Sequence, residues 1–106
     1  MLKERHGAPN TVCFLSQQMA EKLLKAYCIS LHETFPKIHQ LDALVNLISK
    51  KDENISDISI QADILTGFYT TTRYPGDYEE YTWKDAEEAF GAAKEISVFV
   101  LERILA

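Results

Sequence analysis

The chain has 106 residues, 46% of them hydrophobic, and its 16 acidic and 11 basic side chains leave a net charge of -5. That length suits one domain whose core holds without disulfides or metals, and the acidic balance excludes a general grip on duplex DNA, which needs a surplus of Lys and Arg on one face. No apolar run approaches the ~18 residues of a membrane span and no apolar secretory segment opens the chain, so a cytoplasmic protein without a membrane part is expected.

Residues 1–11, MLKERHGAPNT, read as a tail or the remnant of a first helix, because Asn10 or Thr11 can cap a helix that begins near Val12. Beyond them apolar residues recur at helical spacing. Leu15, Met19, Leu23 and Tyr27 form one row and Ala20, Leu24 and Leu31 a second beside it, predicting a long helix from about Val12 to Leu31. Cys13 and Cys28 fall on this helix four turns apart, too far to join, and read as reduced thiols. Gln18, Glu21, Lys22 and Lys25 share another face at i, i+3, i+4 and i+7, with Gln17 alongside. A solvated surface with a Glu21–Lys25 pair accounts for that face, and a polar binding surface is the alternative.

After Pro36, QLDALVNLISK sets Leu41, Leu44, Val45 and Ile48 on one side of a short second helix. KKDENIS is a polar connection in which Ser56 caps a third helix, striped by Ile58, Ala62, Leu65, Tyr69 and Thr72. That helix stops in TTTRYPGDY, because Pro75 fixes its own φ and pushes Tyr74 out of the α region. Arg73 there either bonds the last carbonyls or offers its cation to a ligand. The last helix starts at a capping-box pair, Thr82 and Asp85, and turns Ala86, Phe90, Ala93, Val100 and Ile104 inward, with Ile96 and Ser97 between them. No segment alternates like a strand. The expected fold is all-α, an antiparallel up-and-down bundle of four main helices forming a single domain over residues 1–106.

Catalytic and metal motifs are sparse. His32-Glu33 opens like a zincin helix, but Pro36 holds the place of its second histidine, and His6, His32 and His39 lack metal-ligand spacing. Phosphate loop, nucleophile elbow and paired-cysteine motif are all absent, so neither metal nor cofactor is expected. What remains is the meeting of Arg73, Tyr74 and His39 at one end of the bundle. A guanidinium gives bidentate contacts to phosphate and a tyrosine ring stacks on a base.

Three separated stretches, SQQMAEKLLKAY, PKIHQLDALV and GFYTTTRYPGDYEEYTWKDAEEAFGAAKEISVFVLERI, together resemble the HEPN domain, the nucleotide-binding domain of higher eukaryotes and prokaryotes. The resemblance covers residues from about 12 to 105, and Gln17, Gln18, Glu21, Lys22, Lys25, His39, Arg73, Tyr74 and Pro75 stand on the family's positions. It implies a helical bundle that commonly forms a homodimer, binds a nucleotide or RNA, and is often encoded beside a minimal nucleotidyltransferase in prokaryotic toxin-antitoxin pairs. Arg73 would then contact the anion and His39 donate beside it. Tyr74, Gln18, Lys22 and Lys25 would complete the nucleotide-binding set. The family's ribonucleases carry Arg, four to six residues, then His, and no such histidine follows Arg5, Arg73 or Arg103, so a non-catalytic module is expected. Two alternatives stay open: a metal-independent ribonuclease toxin with His39 as base and Arg73 steadying the phosphorane, and a structural dimerisation module without a ligand. The family also usually has a helix ahead of the QQ helix. Either the chain is truncated there or another subunit covers the exposed apolar stripe, so association is expected.

Overall fold

The computed structural model describes residues 2–34, 40–72 and 81–106, and the side chains of residues 8–34, 40–68 and 81–106. It contains α1 (Leu2–Ser30), α2 (Leu41–Ser49), a 3-10 helix (Glu53–Ile58) that runs into α3 (Ser59–Thr72), and α4 (Trp83–Ile104). There is no strand among the described residues, so the all-α bundle of four main helices predicted from periodicity is the observed one. Its directions are less regular than strict alternation. Asn10 early in α1 meets Tyr81 just before α4, while Tyr27 late in α1 meets Phe99 late in α4, so these two helices run the same way. Helix α3 opposes α4: Gln61 near its start bonds Glu95 late in α4, and the Tyr81 hydroxyl donates to the Phe68 carbonyl near its end at 2.9 Å.

Helix α1 begins at Leu2, not near Val12, and passes through Pro9. A proline inside a helix removes one backbone bond and costs about 3 kcal/mol, and on an exposed surface no packing would offset that. Pro9 is instead buried, and Asn10 is not a cap: its Oδ1 accepts the Tyr81 backbone N–H at 2.8 Å. At the other end the Glu33 N–H reaches the Cys28 carbonyl at 2.9 Å and the His32 N–H reaches Ile29 at 3.0 Å, with His32 at φ 61°. This is a Schellman ending with histidine in the left-handed position usually held by glycine, and it gives His32 a backbone role.

Inward faces follow the expected rows in α2, where Leu41, Leu44, Val45 and Ile48 are buried, and in α3, where Ala62 and Leu65 are. The cap before α3 is Asp52, not Ser56. Its side chain accepts the Asn54 N–H at 3.1 Å and starts the 3-10 helix, which buries Ile55 and Ile58. Thr82 and Asp85 form both bonds of a capping box. The buried row of α4 is Ala86, Ala89, Ala93, Ile96 and Val100, whereas Phe90, expected inward, is 55% exposed. Ile104 is partly buried.

One carboxylate ties three elements at the end where α1 and α4 finish. Asp52 Oδ2 accepts from the Tyr27 hydroxyl at 2.5 Å and from Arg103 Nε at 3.0 Å. The Arg103 guanidinium lies 3.5 Å from the centre of the Phe99 ring and also bonds the Phe99 carbonyl at 3.2 Å. These bonds hold the Asp52 carboxyl below its ordinary pKa, the Tyr27 donor first among the causes. Burial and the Asp52 hydrogen bond push Tyr27 up to about 12. The signs oppose: the Asp52 contribution is present above its ordinary 3.8 and is lost as pH falls through the lowered value. The Tyr27 contribution is complete below pH 10 and is lost as pH rises through about 12. Asp52→Ala should lose about 1–3 kcal/mol in urea unfolding at pH 7, and the gap from the parent protein should narrow below the ordinary carboxylate pKa. An equal gap at acid and neutral pH would refute the tie.

Candidate functional site

The polar residues of α1 are not all on its surface. Gln17 is 1% exposed and Glu21 4%, on the same side of the helix as Leu24 and Cys28, which are fully buried. The spacing explains this, since Cys13, Gln17, Ala20, Leu24 and Cys28 follow the i, i+3, i+4 rule, so the row that buries Leu24 carries Gln17 inward with it.

Four side chains join into a hydrogen-bonded line along α1. Gln18 Nε2 donates to Gln17 Oε1 at 2.8 Å, Gln17 Nε2 to Glu21 Oε1 at 3.4 Å, and Lys25 Nζ to Glu21 Oε2 at 2.9 Å. A buried carboxylate is costly unless it is paired and bonded, and Lys25 supplies the charge from a side chain that is 24% exposed. The line thus runs from the core at Gln17 to the partly exposed Lys25, whose ammonium pairs the Glu21 carboxylate.

Of the nucleotide-binding residues expected from the sequence, Gln18 and Lys25 belong to this line, and Lys22 points to solvent outside it. His39, Arg73, Tyr74 and Pro75 lie outside the described residues. The flanks of the RYP stretch are described: α3 ends at Thr72, and Tyr81 is buried, its ring edge-on to Phe68 with centroids 5.0 Å apart. The reading of Gln17 and Glu21 as part of a solvated face is corrected by their burial.

Other chemistry is limited. Among the described residues no three His, Cys, Asp or Glu side chains gather as a metal site. Cys13 and Cys28 are free and buried; burial raises both thiols, Cys13 to about 11, so they stay protonated and unsuited to nucleophilic work. No helix among the described residues is long and apolar enough to cross a membrane.

The family model of the HEPN domain matches residues 2–104, essentially the whole chain. No curated protein and no solved structure matches it.

The two faces of α1 make different demands on mutation. Gln17→Ala should cost about 1–3 kcal/mol in urea unfolding, because it strips a buried partner from Gln18 and Glu21. Lys22→Ala should change stability by no more than ~0.5 kcal/mol. Equal, small effects at both positions would place Gln17 on the surface and refute the buried line.

Proposed function

The chain belongs to the HEPN domain family, a family generally concerned with nucleotides and RNA, and from that premise we propose that it is a non-catalytic module binding a nucleotide or an RNA end. The observation that carries the reading is the buried polar line of α1. Gln17, Gln18, Glu21 and Lys25 stand on the family's positions, and a helix that keeps glutamine and glutamate in its core forgoes apolar burial there. The line leads toward Lys25, whose cation suits a phosphate.

In this reading Arg73 makes the bidentate anion contact, Tyr74 stacks on the base, and His39 donates beside them, with Gln18, Lys22 and Lys25 extending the surface. The absence of Arg-x4-6-His in these residues supports binding over RNA cleavage. The module acts as a homodimer in the cytoplasm, as the partner of a minimal nucleotidyltransferase in a prokaryotic toxin-antitoxin-like pair, presenting substrate to that enzyme or serving as its target. The two buried free thiols accord with a reducing compartment.

Calorimetric titration with ATP, GTP and a short single-stranded RNA at moderate salt tests this. At least one ligand should bind saturably, and Arg73→Ala should weaken it roughly tenfold or more, the scale of one charge-assisted hydrogen bond, while helical circular dichroism stays unchanged. No binding by any of the three, or equal binding by the variant, would overturn the site. RNA shortened by the clean protein would overturn the non-catalytic reading.

A further inference from the structure

Helices α2 and α3 border a groove of about 140 Å³. Its floor is apolar, made by Val45 and Ala62, which are 8% and 1% exposed. Its polar lining comes from Asp42 and Asn46 of α2 and from Ser59 and Asp63 of α3. Small-molecule sites run to roughly 300–1,000 Å³, so this groove suits a single side chain and not a whole nucleotide.

The lining offers mostly acceptors. Ionised carboxylates accept and never donate. The Ser59 hydroxyl donates to the Ser56 carbonyl at 3.0 Å, so it too meets the groove only as an acceptor. Among the described residues neither Asp42 nor Asp63 is paired with a cation. The neighbouring sequence supplies none: from Asp52 to Thr72 there are four acidic residues and no Lys, Arg or His. Lys51, just before them, is held by the Leu31 carbonyl at 2.7 Å and by Glu33. Asp42 suits the positive start of α2, but Asp63 lies in the second turn of α3, and like charges beside one groove repel.

We propose that this groove receives the cationic side chain of a basic, amphipathic segment of another protein. The alkyl stem of an arginine or lysine packs on Val45 and Ala62, while its head, which carries donors and no acceptor, lies between Asp42 and Asp63. A cation there replaces a repulsion with two attractions. Ile60, 70% exposed and one helical turn from Asp63, offers the segment's apolar side a surface to cover. The same acceptors repel phosphate, so the occupant is a protein and not an RNA. The proposal stands on α2 and α3, independently of the nucleotide reading.

Amide NMR spectra of the full chain, titrated with a synthetic amphipathic peptide of leucine, alanine and arginine, test this. Saturable shifts should concentrate at residues 42–46 and 59–63. Asp42→Asn and Asp63→Asn should each lower the affinity roughly three- to tenfold, the span between an exposed and a covered ion pair. Glu88→Gln, on the exposed side of α4, should leave it unchanged, and a peptide with glutamate at each arginine position should not bind. Circular dichroism checks that each variant keeps the fold. Absence of saturable binding, as expected if a second copy already fills the groove, would overturn the proposal. So would an equal loss in Glu88→Gln, which would mean general attraction to an acidic protein, or ATP shifting the same amides, which would give the groove to a nucleotide.

Discussion

Helix α1 touches each of the other three α-helices, and how it is rotated about its own axis decides which residues each of them meets. That rotation is held at both ends by polar contacts. Asn10 bonds the backbone before α4, and Tyr27 bonds Asp52, which also holds Arg103 from α4. With these in place, Gln17 and Glu21 point inward and the row through Leu24 and Cys28 fills the core. Leu15 is two residues from Gln17, about 200° around the helix, so burying the glutamine turns that leucine out. Leu15 at 58% and Met19 at 37% exposure result from this. The buried polar line and the exposure of these two apolar side chains therefore share one cause.

The same rotation separates two surfaces. The side of α1 that carries Gln18 and Lys25 presents hydrogen-bonding groups and a cation, while Leu15 and Met19, with Phe90 of α4, form the apolar one. A ligand with phosphates suits the first and a second protein chain the second, so binding and association need not compete for the same residues. The Asp52 tie serves both, because it fixes α1 against α4 where they end together.

Much of the architecture was legible because local signals agreed. Thr82 and Asp85 announced a capping box that is present in full, and the apolar rows of α2 and α3 are the buried ones. The misreadings share a physical reason: tertiary contacts overrode local rules. Asn10 and Thr11 read as caps of a helix from about Val12, but α1 runs from Leu2 through Pro9, and the side-chain carbonyl of Asn10 accepts from a residue 71 positions away. Phe90 reads as core because apolar spacing reports a stripe without saying whether the chain supplies anything to cover it. Gln17 was legible in principle, since it shares the helical row of Cys13, Ala20 and Leu24. Asp52 was not, because a tie to Tyr27 and Arg103 leaves no mark in local spacing.

If the proposed homodimer forms through the apolar face of α1 and α4, the chain carries its own reporter of that event. Trp83 is the only tryptophan and lies on the face, 56% exposed in the single chain. Its fluorescence should be blue-shifted and shielded from acrylamide in concentrated protein, and both properties should fade together along a dilution series. An emission maximum typical of solvated indole, freely quenched and the same at every concentration, would contradict a covered face.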